Sequence, residues 1–443
     1  MDGLRIGVIG CGYLGATHAA CMAELGFEVL GLDVVEEKVE ALNAGDLPFF
    51  EPGLNELVLK GRESGQLRFT TSYDELAAFA DVFFVCVSTP QRHGELAADL
   101  SKVDAVVESL APLLDRPVLV VGKSTVPVGT AERLAQRFAK LAPAGELVHV
   151  AWNPEFLREG FGIEDTLRPD RLVFGLRDGA DDFAEKTLSE VYRVAIDAGT
   201  PVVVTDFPTA ELVKVSANAF LATKISFINA MAEVCEASGA DVTRLADAIG
   251  HDARIGRRFL NAGLGFGGGC LPKDIRAFMA RAGELGAGEA VSFLGQVDAI
   301  NQRRRQRAVD LAREVVGRPW PGVRVAVLGA AFKPDSDDIR DSPALNVAGR
   351  LHLQGAHVTV YDPRAMKNAA REWPTLSYAE SAHEACRDAH VVLLLTEWDE
   401  FVSLDPAALA EIVATPLLVD GRNALEPAEW RDAGWTYRAP GRN

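Results

Sequence analysis

The chain has 443 residues, of which 48% are hydrophobic and 24% are charged, a composition that is ordinary for a globular protein. At roughly 100–200 residues per domain, this length predicts two or three domains, each large enough to bury a core. The formal net charge of −18 argues against a nucleic-acid partner, because such binding relies on basic surface. A small anionic ligand needs only a few local donors, so that class of partner stays open.

The six cysteines are scattered without paired spacing, which favours a reducing compartment over a disulfide framework. The first apolar stretch is broken by glycines too early for a signal peptide. No apolar run approaches the roughly 20 residues that a membrane span requires. We therefore expect a cytoplasmic protein with no membrane partner and no bound metal.

Short apolar runs rich in β-branched residues alternate with helical stretches in the N-terminal part of the chain. Runs that are apolar throughout are typical of buried parallel strands with helical crossovers. This pattern predicts a doubly wound α/β sheet. The runs are Arg5–Ile9, Glu28–Leu32, Val82–Val87, Val118–Val121, Leu147–Ala151 and Leu172–Phe174.

The segment Thr209–Ala237 contains neither glycine nor proline and predicts one long helix. It is apolar on all sides, so we expect both of its faces to pack. Helical segments continue to about Val316, and a glycine-rich run, Asn261–Cys270, lies within them.

A Pro/Gly-rich linker, Gly317–Gly322, precedes a weaker repeat of the opening pattern. Leu4–Gly10 is echoed by Val323–Gly329, and Gly26–Asp33 by Gly355–Asp362. The second copy lacks the glycine motif, so we do not expect it to hold a dinucleotide in the same way. We predict an α/β protein with two Rossmann-like doubly wound domains, joined by a long central helix and a helical middle domain. The predicted boundaries are 1–205, 206–316 and 317–443.

The first predicted strand leads into Gly10–Gly15, whose sequence GCGYLG fits the pattern G-x-G-x-x-G and opens a predicted helix. Such glycines allow the backbone to approach a pyrophosphate at the helix N-terminus. Asp33 follows at about the expected 20 residues, where a carboxylate accepts from ribose hydroxyls and repels a 2′-phosphate. In the alternative interpretation the glycines only tighten a turn and Asp33 caps a helix. The first interpretation predicts NAD, bound by Gly10, Gly12, Tyr13, Leu14, Gly15 and Asp33.

Cys270 follows the glycine-rich run and precedes Pro272, which suits the first turn of a helix. A thiol near a helix N-terminus has a lowered pKa and is a candidate nucleophile. The alternatives are a buried structural cysteine and a flexible loop, with Asp274 as a first-turn cap.

Lys214 and Asn218 lie four residues apart on the predicted long helix and share a face. Such a pair can hold a developing oxyanion, or can lie on a solvated face. Ser124–Thr125 follows a predicted strand, where doubly wound folds bind ligands. Asn153–Glu159 also follows a strand, and its two carboxylates are candidate acids or bases, or part of an ordinary loop and helical turn.

Six segments in this order resemble the family of UDP-glucose dehydrogenases, with the related UDP-N-acetylmannosamine and GDP-mannose dehydrogenases. The resemblance covers essentially the whole chain, and the cysteine motif is its most specific part. Gly269 and Leu271 stand where the family often has Ser and Phe, and neither departure removes a reacting group. The segments are Gly10–Gly15, Gly122–Pro127, Asn153–Gly160, Lys214–Asn218, Gly265–Asp274 and Phe332–Arg340.

The resemblance implies roles for the matching residues. Cys270 would be the nucleophile, and Lys214 and Asn218 would stabilise the oxyanion. Asp274 would be the water-activating partner of Lys214. Thr125 and Glu159 would help to position water or carry protons. The nucleotide sugar would be held by Glu155, Phe156, Leu157, Glu159, Lys214, Asn218, Phe266, Gly267, Lys333 and Arg422, and Arg254 would reach the substrate of a partner subunit. The cofactor would also contact Lys38, Thr89, Thr125 and Arg340.

The resemblance further implies a four-electron oxidation of a UDP-sugar by two NAD molecules in turn, with Cys270 forming a thiohemiacetal and then a thioester. UDP-glucose is the expected substrate, with UDP-N-acetylmannosamine and GDP-mannose as alternatives. A homodimer or higher homo-oligomer is expected. A two-electron hydroxyacid-type dehydrogenase and a non-catalytic NAD sensor remain rivals, and they would form one and no NADH per substrate instead of two.

Overall fold

The computed structural model describes residues 3–442. These residues form two compact units. One comprises 3–217 and 276–286, and the other comprises 218–275 and 287–442.

The first unit is built on an eight-stranded sheet in the order β3-β2-β1-β4-β5-β6-β7-β8. Strands β1 to β6 pair in parallel, with Ile6 of β1 opposite both Val29 of β2 and Val82 of β4. The predicted doubly wound sheet is confirmed. The strands are β1 (Arg5–Ile9), β2 (Glu28–Leu32), β3 (Leu67–Thr70), β4 (Val82–Val85), β5 (Val118–Gly122), β6 (Val148–Trp152), β7 (Leu172–Leu176) and β8 (Val202–Asp206).

Helices cover both faces of this sheet, and two apolar clusters lie between helices and strands. Burial of such apolar area is the main stabilising contribution. The helices are α1 (Tyr13–Glu24), α2 (Glu36–Ala44), α3 (Leu54–Glu63), α4 (Tyr73–Phe79), α5 (Ser101–Leu110), α6 (Thr130–Leu141), α7 (Gly162–Leu167), α8 (Asp182–Val191) and α9 (Arg193–Asp197).

The direction of β7 differs from the prediction, which made every strand of this part parallel. Trp152 of β6 pairs with Gly175 of β7 in antiparallel fashion, and β8 is parallel to β7. A parallel connection needs a crossover, usually a helix laid over the sheet. Here the connecting segment holds only the six-residue helix α7, which packs against α1.

The prediction also omitted β3 and β8, the two edge strands of the sheet. β3 alternates buried and exposed side chains, and in β8 Val203 and Val204 are exposed. Neither strand is a continuous buried apolar run, which is the pattern that revealed the inner strands.

Four helices follow in the middle of the chain. The long helix is confirmed, although the expectation that both of its faces pack is not met within one chain, because Phe220, Phe227 and Val234 are 65%, 47% and 56% exposed. The helices are α10 (Phe207–Ser238), α11 (Val242–Gly250), α12 (Leu271–Glu284) and α13 (Phe293–Val316).

The second unit contains a six-stranded parallel sheet in the order β11-β10-β9-β12-β13-β14. This is the strand order 3-2-1-4-5-6 of a Rossmann-like domain, so the predicted second copy is confirmed. The strands are β9 (Arg324–Leu328), β10 (His357–Tyr361), β11 (Ser377–Tyr378), β12 (Val391–Leu394), β13 (Leu417–Asp420) and β14 (Thr436–Arg438). The helices are α14 (Pro343–Leu353), α15 (Met366–Glu372), α16 (Ala382–Cys386), α17 (Asp399–Val402), α18 (Pro406–Ala410) and α19 (Pro427–Asp432).

Within residues 3–442, none of the helices is both long enough and apolar enough to cross a membrane.

Candidate active site

The loop Gly10–Gly15 joins β1 to α1 and has the shape of a phosphate cradle. A Cβ on Gly15 would lie 2.0 Å from the carbonyl oxygen of Gly10, so the turn closes only with glycine there. A Cβ on Gly12 would meet no atom within 4 Å, which leaves free space in front of the helix N-terminus. Tyr13 and Leu14 begin α1 directly behind that space. A pyrophosphate fits such a cradle because backbone N–H groups and the helix dipole favour an anion.

Asp33 follows β2 and is 6% exposed. Its carboxylate accepts from the backbone N–H of Cys11 at 3.0 Å and lies 2.7 Å from Nζ of Lys38. The acid is therefore fixed beside the glycine loop, where a ribose hydroxyl would meet it. The adjacent Lys38 partly neutralises Asp33.

The loops that follow β4 and β5 are joined by hydrogen bonds from their side chains. Thr89, after β4, donates from its hydroxyl to the carbonyl oxygen of Thr125, after β5, at 2.7 Å. Ser124 donates to the carbonyl oxygen of Val87 at 2.6 Å. Thr125 itself is half-buried at the carboxyl edge of the sheet, where open α/β sheets bind ligands.

Glu155 and Lys214 form an ion pair in the first unit. Oε1 of Glu155 lies 3.0 Å from Nζ of Lys214, and the other carboxylate oxygen accepts from the N–H of Leu157 at 2.6 Å. Nζ of Lys214 also lies 5.5 Å from the centre of the Phe156 ring. Glu159, four residues after Glu155, is half-buried. The structure thus brings the ammonium group of Lys214 together with Glu155, Phe156 and Leu157, which are three of the predicted substrate-binding residues.

Cys270 is exposed, whereas the other five cysteines are buried. It lies immediately before α12, and its carbonyl oxygen accepts from the N–H of Asp274 at 3.0 Å, which closes the first helical turn. The helix dipole at this end stabilises a thiolate.

Asp274 is 2% exposed and lies in the first turn of α12. Its carboxylate accepts from Nδ2 of Asn218 at 2.6 Å and pairs with Nζ of Lys273 at 2.5 Å. Asp274 therefore orients Asn218. Asn218 lies on the same helix as Lys214, four residues further along the chain.

The glycine-rich loop before Cys270 is held by one side chain of α13 and by one that follows β13. Asn301 is fully buried, and its amide accepts from the N–H of Phe266 at 2.7 Å and donates to the carbonyl of the same residue at 2.9 Å. Arg422 donates to the carbonyl oxygens of Gly265 at 3.3 Å and Phe332 at 2.9 Å, so it ties this loop to the residue before Lys333.

Arg340 and Gly267 lie where this loop meets Phe332–Arg340. A Cβ on Gly269 would lie 2.3 Å from Cζ of Arg340, and one on Gly267 would lie 2.4 Å from the carbonyl oxygen of Asp341. The guanidinium of Arg340 also pairs with Asp338 at 2.7 Å. The glycines permit this close packing.

Arg254 lies on the surface. Its side chain is 89% exposed and pairs with Asp252 at 2.6 Å.

The sequence interpretation missed a buried cluster around Lys123, which donates to Asn153 at 2.9 Å and to Tyr192 at 3.2 Å. Burial lowers the pKa of Lys123 to about 8. This cluster joins the loop after β5 to the loop after β6. Asn301 was missed too, since it belongs to the strongly charged run NQRRRQR, which predicts a solvated face.

Comparison with known proteins agrees with this geometry. Three domain profiles of the UDP-glucose/GDP-mannose dehydrogenase family match in order: the NAD binding domain over residues 4–196, the central domain over 208–303 and the UDP binding domain over 326–427. The chain belongs to the UDP-glucose/GDP-mannose dehydrogenase family.

Relatives within the family match along the whole chain. The UDP-glucose 6-dehydrogenase of Rhizobium meliloti is 42% identical over 439 residues, which are 99% of this chain and 100% of the relative. A solved UDP-glucose dehydrogenase from Pyrobaculum islandicum superposes with a TM-score of 0.90 at 38% identity, covering 99% of this chain and 98% of the other. A UDP-D-ManNAc dehydrogenase from Pyrococcus horikoshii gives 0.85 at 26% identity, covering 99% of both.

Membership of the UDP-glucose/GDP-mannose dehydrogenase family confirms three predictions: an oxidoreductase, NAD as the cofactor and a nucleotide sugar as the substrate class. The cradle at Gly12 and the fixed carboxylate of Asp33 fit that cofactor.

Proposed function

We propose that this protein oxidises the 6-alcohol of UDP-glucose to the carboxylate of UDP-glucuronate, with two molecules of NAD. The observation that carries the proposal is the exposed thiol of Cys270 at the N-terminus of α12, directly after the glycine-rich loop. A relative that is 42% identical over the full length and carries the name UDP-glucose 6-dehydrogenase supports the choice of sugar.

NAD would be held by Gly10–Gly15, Asp33, Lys38, Thr89 and Arg340. When bound, NAD accepts a hydride at each of the two oxidations, one from the alcohol carbon and one from the thiohemiacetal carbon. The protein's own side chains bind and orient the substrate and the cofactor, and they stabilise the charge that develops during the reaction.

Cys270 would attack the C6 aldehyde left by the first oxidation. Its sulfur bonds to the carbonyl carbon, and the oxygen takes a proton, which gives a thiohemiacetal. The second oxidation removes a hydride and a proton and leaves a thioester. Water then attacks the acyl carbon, the carbon–sulfur bond breaks, and the carboxylate is released with the thiol restored. The thiohemiacetal keeps the aldehyde from escaping before the second oxidation.

Oxygen carries developing negative charge in each of these steps. Lys214 and Asn218 would stabilise it, because preorganised donors act most strongly where water is excluded. Lys214 is 5% exposed and Asn218 is 7% exposed, and each is held by a carboxylate, Glu155 and Asp274 respectively. Thr125, Glu159 and Asp274 would position the water or carry protons.

The nucleotide sugar would be bound by Glu155, the backbone of Phe156 and Leu157, Phe266, Gly267, Lys333 and Arg422. UDP-N-acetylmannosamine and GDP-mannose are the alternative substrates. The lower identity to the UDP-D-ManNAc dehydrogenase, 26% against 42% and 38% for the UDP-glucose enzymes, favours UDP-glucose.

An assay with the three nucleotide sugars side by side tests the reaction. We expect two NADH per UDP-glucose and the highest kcat/KM for this substrate. One NADH per substrate would indicate a two-electron dehydrogenase, and none with any sugar would indicate an NAD sensor. A clear preference for another sugar would overturn the choice of UDP-glucose.

We also propose a division into an NAD-binding domain at 1–205, a dimerising helical domain at 206–316 and a UDP-sugar-binding domain at 317–443. The exposed face of α10, formed by Phe220, Phe227 and Val234 at intervals of seven residues, supports self-association, since so regular an apolar stripe is costly in water. The protein would be a cytoplasmic homodimer or higher homo-oligomer.

Arg254 would complete the site of a partner subunit, and its 89% exposure supports such a reach. Light scattering of the wild-type protein and of Phe227→Glu tests the assembly. We expect the charged variant to be monomeric. A wild-type protein that is monomeric and fully active would overturn both the assembly and the shared site.

A further inference from the structure

Glu51 has no role in the proposed chemistry, yet its surroundings are those of a functional carboxylate. It lies in the loop between α2 and α3 and is 3% exposed. One oxygen, Oε2, accepts from the hydroxyl of Tyr13 at 2.5 Å and from the N–H of Gly160 at 2.6 Å. The other, Oε1, accepts from the N–H of Gly162 at 2.6 Å. Burial of a carboxylate is tolerated only when donors satisfy it, and here three donors do so.

The donors come from two loops that are far apart in sequence. Tyr13 belongs to the dinucleotide loop, whereas Gly160 directly follows Glu159. A Cβ on Gly162 would lie 2.8 Å from Oη of Tyr13, so a larger residue here would displace the hydroxyl. The Glu51 carboxylate therefore joins the dinucleotide loop to the turn that carries Glu159.

Tyr13 remains a hydrogen-bond donor in this arrangement. Burial raises the pKa of its hydroxyl most, and the carboxylates of Glu51 and Glu159 raise it further. Glu159 itself is half-buried and directly precedes Gly160, whose N–H donates to the Glu51 carboxylate.

We propose that Glu51 is a positioning residue that fixes Glu159 against the dinucleotide-binding loop. The inference rests on the proposed function, in which Glu159 serves the hydrolysis of the thioester. Glu51 acts through Tyr13 and the N–H groups of Gly160 and Gly162, and it does not touch the substrate. Its loss should therefore slow hydrolysis more than the first oxidation.

The variant Glu51→Gln tests this directly, because neither orientation of the amide fits. An NH2 group at the position of Oε2 would face the N–H of Gly160, and one at the position of Oε1 would face the N–H of Gly162. Tyr13→Phe is the milder variant, since it removes one donor and keeps both backbone bonds. Asp181→Asn is the matched stability control, because Asp181 accepts from the N–H of Ala184 and contacts His149, away from both loops.

Each variant is mixed with UDP-glucose and NAD, and NADH formation is followed during the first turnover. After rapid quench, mass spectrometry gives the mass of the intact enzyme. For Glu51→Gln we expect the first NADH at a near-normal rate, accumulation of an acyl adduct on Cys270, and a steady-state rate at least about tenfold lower, because small misplacements of a catalytic group cost up to about 10². Tyr13→Phe should change in the same direction by less, and Asp181→Asn should accumulate no adduct.

Two results would overturn the inference. One is the absence of adduct in both Glu51→Gln and Tyr13→Phe. The other is an equal slowing of both half-reactions that follows the loss of thermal stability seen in Asp181→Asn. Should Glu51→Gln fail to fold, the adduct measured in Tyr13→Phe decides. A wild-type enzyme that forms no NADH from UDP-glucose would instead overturn the proposed reaction, and this inference with it.

Discussion

Nζ of Lys214 lies 3.0 Å from Oε1 of Glu155, and the two side chains are only 6% and 13% exposed. A buried ion pair contributes little net stability, because desolvation offsets the attraction. Its effect is to orient the ammonium group of Lys214 at the carboxyl edge of the sheet. This is what a stabiliser of developing negative charge requires.

We expect Lys214→Ala to slow both oxidations by about 10²–10³, the usual effect of losing one oxyanion donor. The buried carboxylate of Glu155 would also lose its partner, so the variant should be less stable by about 3–5 kcal/mol. Single-turnover NADH formation and thermal unfolding measure the two effects. Lys60→Ala, which breaks an exposed ion pair with Glu24, is the control and should change neither. A Lys214→Ala enzyme with wild-type rates would remove Lys214 from the chemistry.

Cys270→Ala should abolish formation of the uronic acid, because thiohemiacetal and thioester both need the sulfur. The variant should still reduce the added C6 aldehyde with NADH. In Cys270→Ser a hydroxyl can attack the aldehyde, but the resulting ester should hydrolyse slowly. Mass spectrometry of the quenched enzyme should then detect an adduct on residue 270. Acid production by Cys270→Ala at a near-wild-type rate would rule out covalent catalysis at this position.

The pair of Asp33 and Lys38 leads to a prediction on cofactor choice. Nζ of Lys38 lies 2.7 Å from the carboxylate of Asp33. Asp33→Ser removes the repulsion of a 2′-phosphate and frees the ammonium to meet it, so the kcat/KM ratio of NADP to NAD should rise at least about tenfold, as expected for one charge-assisted bond. Adding Lys38→Ala should cancel the gain. Equal use of NAD and NADP by the unaltered enzyme would contradict the role of Asp33.

Glu211 predicts a pH dependence of stability. It is 2% exposed and accepts from the N–H groups of Gly129 and Ala131 at 2.7 Å each. Burial raises its pKa to about 7, and these N–H bonds oppose the shift. Because the pKa is raised in the folded state, the contribution of Glu211 to stability is full below its ordinary value of 4.5 and is lost as the pH rises through about 7.

The loss corresponds to about 3 kcal/mol across that window. Thermal unfolding of the wild-type protein and of Glu211→Gln at several pH values between 4.5 and 8 measures it. The wild-type protein should lose stability relative to the variant as the pH rises. Glu132→Gln should keep the wild-type slope, because Glu132 is a neighbour on α6 whose side chain is 44% exposed. Parallel slopes for all three proteins would show that Glu211 titrates normally.

Much of the fold could be predicted from local pattern. The inner strands of the first sheet, strands β9 and β10 of the second sheet, the glycine loop and the start of α12 at Leu271 follow from hydrophobic period, glycine spacing and proline placement, which act over a few residues. The edge strands β3 and β8 and the reversed direction of β7 could not be predicted in this way. A short stretch of sequence does not show that a strand is partly exposed or which direction it takes in the sheet.

The sequence by itself predicted the two Rossmann-like domains, the candidate cofactor loop with Asp33 and the candidate nucleophile Cys270, since each is a local arrangement of residue types. Only the tertiary structure decided which polar groups satisfy one another. Glu51 meets Tyr13 across 38 residues and Gly160 across 109, and Asn301 meets Phe266 across 35. Buried donors and acceptors must find partners wherever the packed chain brings them, so these contacts depend on the whole fold and not on neighbouring residues.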